Sequence, residues 1–412
     1  MEKLVYLNEL KNLKGKRVLL RVDFNVPLDE HGNITDDIRI RRALPTINYL
    51  LDEKAIVIII SHIGRPKGKR VPSLTLLPVA RRLERLLGRD VIFVDDCIGE
   101  KPKKVIEDAK EGDVILLENL RYYEGETKND PEFAKALAEL GEIYVDDAFG
   151  NTHRAHASNV GITEYIDICV AGFLIKEELS YFKRALEDPL RPFVAIVGGA
   201  KVSDKLAALE NLLDKVDKMI VGGGMAFTFL KANGIEVGNS ICEDALIGKA
   251  LDIMRKAQKK DVKFYLPVDI VVADKIDRTA DTKVVPSQEI PPDWVGVDIG
   301  PATTTLFSEV LKDARTIVWN GPMGIFEIDI FSRGTMSMVH SVASTYALTI
   351  IGGGDTDVAV HKAGEVDRIS YISTGGGAFL QVLEGKELPA IVALEKKADK
   401  VRELIGAKLW EK

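Results

Sequence analysis

Residues 193–205 read FVAIVGGAKVSDK. An apolar β-branched run, Val194 to Val197, meets a glycine pair, Gly198-Gly199, and then a helix-compatible segment carrying Lys201 and Lys205. Strand, glycine turn and helix together form a geometry in which free backbone N–H groups face an anion. On a helix the two lysines, at i and i+4, share one face, where like charges repel mildly unless something negative lies between them. Asp204 offers a plainer reading, since three residues from Lys201 it neutralises an ordinary solvated face. Position favours the anion. Arginines collect upstream of this stretch and glycine turns collect downstream of it.

Upstream, strand patterns alternate with helical ones, which predicts a parallel sheet with crossover helices. The expected strands are Arg17 to Val22, Ala55 to Ile60, Val91 to Val94, Val114 to Leu117 and Ile143 to Val145. AIVIII at 55–60 is apolar enough to be a buried central strand. Polar residues follow the strand ends: Asp23 and Asn25 before Pro27, then His62 and Arg65, Arg121, and finally His153, Arg154 and His156. Ligands of open parallel sheets bind at the carboxyl ends of strands. Each of these residues alone has a structural explanation as a turn or cap residue. Together, Arg39, Arg65, Arg121 and Arg154 would converge on one rim, and guanidinium forks suit phosphate or carboxylate.

Downstream, strands lead into Gly222-Gly223-Gly224, Gly321-Pro322-Met323-Gly324 with Glu327 beyond, Gly352-Gly353-Gly354-Asp355-Thr356, and Gly375-Gly376-Gly377. Glycine lets backbone approach a ligand and take positive φ. With Gly198-Gly199, five such turns point to a nucleotide-sized ligand. Neither a Walker A loop nor a strict GxGxxG opening a helix is present. Asp355 suits magnesium carried in on nucleotide phosphates, or simply caps a helix. Between the halves, Ile175, Leu179, Phe182 and Leu186 keep helical spacing up to Pro189, the pattern of a helix joining two domains.

A length of 412 residues allows two or three domains. A net charge of −7 argues against a general nucleic-acid or membrane-surface role, so any basic site is local. Cys97, Cys169 and Cys242 are scattered, which indicates neither a disulfide framework nor a cysteine zinc site. With no signal-peptide pattern and no apolar run of ~18 residues, a cytoplasmic location is expected.

RVDFNVP, SHIGRP, LLENLR, DDAFGNTHRAHAS, VGGAKVSDK, GGGMAFTFL, WNGPMGIFE, IGGGDT and STGGGAFLQVLEGKELPAI resemble the motifs of phosphoglycerate kinases, in that family's order and over essentially the whole chain. The resemblance implies α/β architecture: two doubly wound, Rossmann-like parallel-sheet domains joined by a helix hinge, with the C-terminal segment returning to the N-terminal domain. It implies a phosphoglycerate-binding domain over 1–174, a connecting helix over 175–189, a nucleotide-binding domain over 190–390 and a returning helix over 391–412. It further implies that Asp23, Asn25, Arg39, His62, Arg65, Arg121 and Arg154 hold 3-phosphoglycerate or 1,3-bisphosphoglycerate. Gly199, Lys205, Gly223, Gly324, Glu327 and Gly353 to Thr356 would bind ADP or ATP with Mg²⁺ at Asp355. Arg39, Lys201, Gly353 and Gly376 would surround the phosphoryl group in transit. The expected partners are these small molecules alone, with the protein a monomer or homodimer. Asn151-Thr152 and Tyr122-Tyr123 depart from the usual pattern, and the charged tail beyond Ala393 resembles archaeal members.

The chemistry suits the residue types. The acceptor in the ATP-consuming direction is a carboxylate, ionised at neutral pH, so the reaction needs positioning and positive charge rather than a general base. Two rival readings are a nicotinamide-dependent dehydrogenase and a non-catalytic nucleotide-binding scaffold. Retention of both lysines, Arg39 and Asp355 argues against the scaffold.

Overall fold

The computed structural model describes residues 3–406. The chain divides into two compact units: one runs up to Ser180 and resumes at Glu387, and the other runs from Tyr181 to Lys386. Residues 407–412 of the expected returning helix lie outside the described residues.

The first unit is built on β1 (Arg17–Arg21), β2 (Ile56–Ile60), β3 (Ile92–Val94), β4 (Val114–Leu117), β5 (Ile143–Asp146) and β6 (Ile168–Ala171). All pair in parallel, in the order β3-β4-β2-β1-β5-β6. Every residue of β2 is buried between β1 and β4, as its unbroken apolar run requires. The chain lays strands on one side of β1 up to β4 and then crosses to the other side with β5. The switch point therefore falls between β1 and β5, where a crevice opens beyond the strand ends. The helix Pro389–Gly406 belongs to this unit. Its Ala398 and Val401 are part of the same apolar cluster as Val18, Leu20 and Val170. Arg402 donates to the Leu4 carbonyl, and Lys400 pairs with Asp167.

The second unit repeats the plan with β7 (Phe193–Val197), β8 (Lys218–Val221), β9 (Lys263–Tyr265), β13 (Thr316–Asn320), β14 (Leu348–Gly352) and β15 (Tyr371–Ile372), parallel in the order β15-β14-β13-β7-β8-β9. Its switch point lies between β7 and β13. Between β9 and β13 the chain inserts a three-stranded antiparallel sheet, β10 (Asp269–Ala273), β11 (Thr282–Pro286) and β12 (Val295–Ile299), in the order β11-β10-β12. Strands β6, β9 and β10 to β12 are additions to those read from the sequence. They are short, and β11 is largely exposed, so its run does not show the apolar signature of a buried strand. Among the described residues no helix is long and apolar enough to cross a membrane.

The segment after β7 corrects one expectation. Residues 200–205 are irregular, and the helix begins at Leu206 with Lys205 as its N-cap. Lys201 and Lys205 therefore do not share a helix face. Val202 is fully buried and the Ser203 N–H donates to Glu243 Oε2 at 3.0 Å, so the loop is pinned by a residue 40 positions away.

Candidate active site

At the crevice of the first unit the loops after β1, β2 and β4 are tied together by asparagine side chains bonded to backbone. Asn25 Oδ1 accepts from the Gly64 N–H (2.8 Å), joining the first two loops. Asn119 joins the second and third: its Oδ1 accepts from Ile63 and Arg121 N–H groups and its Nδ2 donates to the Ile63 carbonyl. The frame places Arg121 side-on to the crevice, with Nη1 donating to the Gly64 carbonyl at 2.9 Å. Burial, with Arg21 and Arg154 nearby, lowers the Arg121 pKa to about 10. Its Nε is buried without a partner.

Arg39, on the helix Ile38–Asp52, forms an ion pair with Asp23. Arg154 Nε donates to His153 Nε2 (3.1 Å), which requires an unprotonated acceptor nitrogen. Burial lowers the His153 pKa, as does Arg154. His62 is almost fully buried, and its pKa is pushed well below the ordinary value by burial first, then by Arg21, Arg121, Arg39 and His156. The structure thus brings Arg39 and Arg121 into electrostatic range of His62, and Arg154 into range of Arg121. Arg65 is an exposed side chain adjoining the Gly64 hinge of the frame. Positive groups crowded this way, with Asp23 as counter-charge to one of them, leave a demand for an anion.

The second unit holds a cavity of about 420 Å³ lined by Gly199, Gly223, Gly324, Glu327 and Asp355, with Phe227 and Ile270 among its apolar walls. The antiparallel sheet supplies one side through Val295, Val297 and Ile299. An apolar slot ending in exposed carboxylates is the shape of a site for a flat ring with a polar tail.

The glycines beside it divide into two kinds. A Cβ on Gly198 would stand 2.3 Å from the Pro322 oxygen, and one on Gly223 would stand 2.7 Å from Gly199 backbone atoms. Gly199 N–H donates to the Pro322 carbonyl and Gly223 N–H to that of Met323. The turns after β7, β8 and β13 therefore interlock backbone to backbone, and much of their glycine content serves packing rather than a ligand. Gly354 and Gly376 meet nothing within 4 Å, so their turns are open.

Lys205 bonds Asn320 Oδ1, and Asn320 Nδ2 donates to the Gly352 carbonyl at 2.7 Å, linking the ends of β13 and β14. Burial lowers the Lys205 pKa. Thr356 is fully buried and its hydroxyl accepts from the Gly321 N–H, so it holds a turn and does not face the cavity. Lys201 is exposed.

Sequence reasoning missed Asn320, Arg21 and Glu126. Two of them leave a signal: Asn320 ends an otherwise apolar buried strand, and Arg21 interrupts the run RVLLRV. A buried polar side chain at such a place must have partners.

The model of the family described as phosphoglycerate kinase matches residues 7–386. The chain belongs to the phosphoglycerate kinase family. Phosphoglycerate kinases of Citrifermentans bemidjiense and Geobacter metallireducens are each 60% identical to it, covering 95% of this chain and 98% of the relative. The solved phosphoglycerate kinase from Coxiella burnetii superposes with a TM-score of 0.87 at 45% identity, covering 96% of this chain and 99% of that one. The one from Pyrococcus horikoshii OT3 gives 0.81 at 32%, covering 96% and 100%. The archaeal likeness of the tail is not borne out. The kinases of Citrifermentans bemidjiense and Geobacter metallireducens, at 60%, and of Coxiella burnetii, at 45%, are all more similar to this chain than that of Pyrococcus horikoshii, at 32%, and a charged amphipathic helix is too generic in composition to mark lineage.

Proposed function

We propose that the crevice between β1 and β5 binds 3-phosphoglycerate or 1,3-bisphosphoglycerate through Arg39, His62, Arg65, Arg121 and Arg154, assisted by Asp23 and Asn25. The cavity of the second unit takes ADP or ATP, with Glu327 on the ribose, and Gly199, Gly223, Gly324 and the turn Gly353 to Thr356 close to the nucleotide. The reaction is reversible transfer of a phosphoryl group between 1,3-bisphosphoglycerate and ADP, giving 3-phosphoglycerate and ATP. We assign the first role to residues 1–174 and 391–412 and the second to 190–390, with 175–189 as the connecting helix.

The observation that carries this reading is Arg121. Its guanidinium is buried among other cations, with Nε unpartnered, in a protein whose net charge is −7. Such a group is stabilised when a multiply charged anion docks. Lys205 serves the nucleotide, while Arg39, Lys201 and the turns at Gly353 and Gly376 supply positive charge or N–H groups for the transferred phosphoryl, and no general base is required.

Among the described residues no group of three or more His, Cys, Asp or Glu side chains could hold a metal. Asp355, exposed on the cavity wall, fits the other mode: Mg²⁺ arriving on nucleotide phosphates and taking one protein carboxylate. There the ion would neutralise phosphate charge. These substrates go with a cytoplasmic setting, and the assignment is complete in a monomer.

ATP formation from ADP and 1,3-bisphosphoglycerate tests the activity, and calorimetric titration tests the sites. Arg65→Ala should weaken phosphoglycerate alone and Glu327→Ala nucleotide alone. An Arg65→Ala variant impaired only toward ATP would show the crevice to be misassigned.

A further inference from the structure

Arg21 closes β1, and its side chain is fully buried. Each of its bonds has a defined direction. Nε donates to Ser158 Oγ at 2.8 Å, Nη1 donates to the Val22 carbonyl, and Nη2 lies 3.2 Å from His62 Nδ1. A guanidinium carries five N–H donors and no acceptor. A bond to His62 Nδ1 therefore uses the lone pair of that nitrogen and leaves the ring proton on Nε2. Among the described residues no partner takes up Nε2.

Arg21 is in turn oriented by Glu126, which is equally buried. The Ser158 N–H donates to Glu126 Oε2 at 3.0 Å and its hydroxyl to Oε1 at 2.7 Å. That hydroxyl accepts from Arg21 while donating to Glu126, so its proton has one place to point. Oε1 also lies 3.9 Å from Arg21 Nη2 and 3.6 Å from His156 Nδ1. Ion pairs without solvent hold their geometry because either charge left alone is strongly penalised.

The charged and titratable groups facing His62 are Arg21 from β1, Arg39 from the helix Ile38–Asp52, Arg121 from the loop after β4 and His156 from the loop after β5. All are positive or neutral, and with burial they disfavour an imidazolium.

We propose that Arg21 and Glu126 are positioning residues that fix His62 as a neutral Nε2–H donor for the anion bound in this crevice. The proposal rests on the assignment of His62 to phosphoglycerate binding and adds the two residues behind it. Arg39, Arg65, Arg121 and Arg154 supply the charge that attracts the ligand. His62 supplies a directed N–H whose strength does not change across the neutral pH range.

The decisive measurement is the ¹⁵N–¹H correlation spectrum of the ¹⁵N-histidine-labelled full chain, with His62 identified by its loss in His62→Gln. The protein has six histidines, so the assignment is tractable. We expect protonation of Nε2 alone at pH 7. The double variant Arg21→Met/Glu126→Gln removes both buried charges together and so strands neither. In it His62 should become a mixture of tautomers, and the Kd for 3-phosphoglycerate should rise about tenfold, the loss of one hydrogen bond to a charged group, while ADP affinity stays the same. Arg21→Lys, which can only donate, should restore the Nε2–H form.

A parent protein whose His62 is the Nδ1–H tautomer or an imidazolium at pH 7 overturns the proposal. So does a double variant that keeps both the Nε2–H form and full affinity. If the double variant does not fold, the parent spectrum decides alone. A His62→Gln protein with undiminished phosphoglycerate affinity would instead overturn the assignment of His62 to substrate, whatever its tautomer.

Discussion

Replacing Asp147 by Asn should abolish a large pH dependence of stability in the first unit. Asp147 follows β5 and is fully buried. Its Oδ1 accepts from Leu174 N–H at 2.8 Å and more weakly from Ile175 N–H at 3.4 Å, at the start of the helix Phe173–Phe182. Its Oδ2 has no partner. Burial pushes the carboxyl from 3.8 up to about 7, against the hydrogen bonds from Thr46, Leu174 and Ile175, which lower it. Below pH ~4 the group is neutral in both the native and unfolded states and contributes no pH dependence. Between ~4 and about 7 the unfolded chain ionises while the native one stays protonated, so stability falls as pH rises. Above about 7 both are ionised and the loss is constant. At about 1.4 kcal/mol for each tenfold in the ionisation constant, the shift from 3.8 to about 7 costs about 4 kcal/mol. Asparagine keeps the Oδ1 acceptor but buries two amide hydrogens, a penalty of about 1–3 kcal/mol that does not vary with pH. The stability difference between variant and parent should therefore move by about 4 kcal/mol in the variant's favour from pH 4 to pH 8. Denaturant unfolding at several pH values, followed by circular dichroism, reads that difference. Asp146, raised to about 6, and Asp298, raised to about 7, titrate in the same window but are present in both proteins. A difference that stays constant across the range would refute the reasoning.

Lys201→Ala should lower kcat by roughly 10²- to 10³-fold, the usual loss for one charge-stabilising donor, with nucleotide Kd little changed. Steady-state kinetics with calorimetry checks this, and near-normal turnover would return Lys201 to an ordinary surface lysine. Gly198→Ala drives a Cβ into two backbone oxygens and should cost about 1–3 kcal/mol of stability while raising KM for ADP. Gly354→Ala meets nothing, so it should leave the melting temperature unchanged or slightly raised yet weaken nucleotide binding if phosphate approaches that turn. Leu394→Ala, in the buried face of the helix Pro389–Gly406, should destabilise the first unit by about 2–5 kcal/mol, measured by denaturant midpoint.

Five strands of each six-stranded sheet were legible because the central ones are apolar, β-branched runs that can only be buried, and because parallel strands leave their polar residues at one set of ends. Arg121 and Arg154 were readable as candidates for the second reason, and Glu327 and Asp355 because they follow glycine turns that end strands, whereas Arg39 lies on the helix Ile38–Asp52. The inserted antiparallel sheet was not legible. Its edge strand TKVVP carries too little apolar character to declare itself, and its pairing with β10 is set by partners elsewhere in the chain.

Local chemistry is written residue by residue, so the sequence alone determined which side chains are candidates for the reaction and that most of them follow strand ends. Their geometry depends on neighbours distant in sequence. Whether residues 200–205 coil into a helix was decided by the burial of Val202 and by Glu243 taking the Ser203 N–H, since the segment's own propensities allow either form. Gly198-Gly199 and Gly353-Gly354 look alike as letters. Only the approach of Pro322 to the first pair and the open space at Gly354 separate a packing corner from an open turn. The tautomer of His62 is likewise invisible in SHIGRP, because the group that selects it is Arg21, brought beside it by the pairing of β1 with β2.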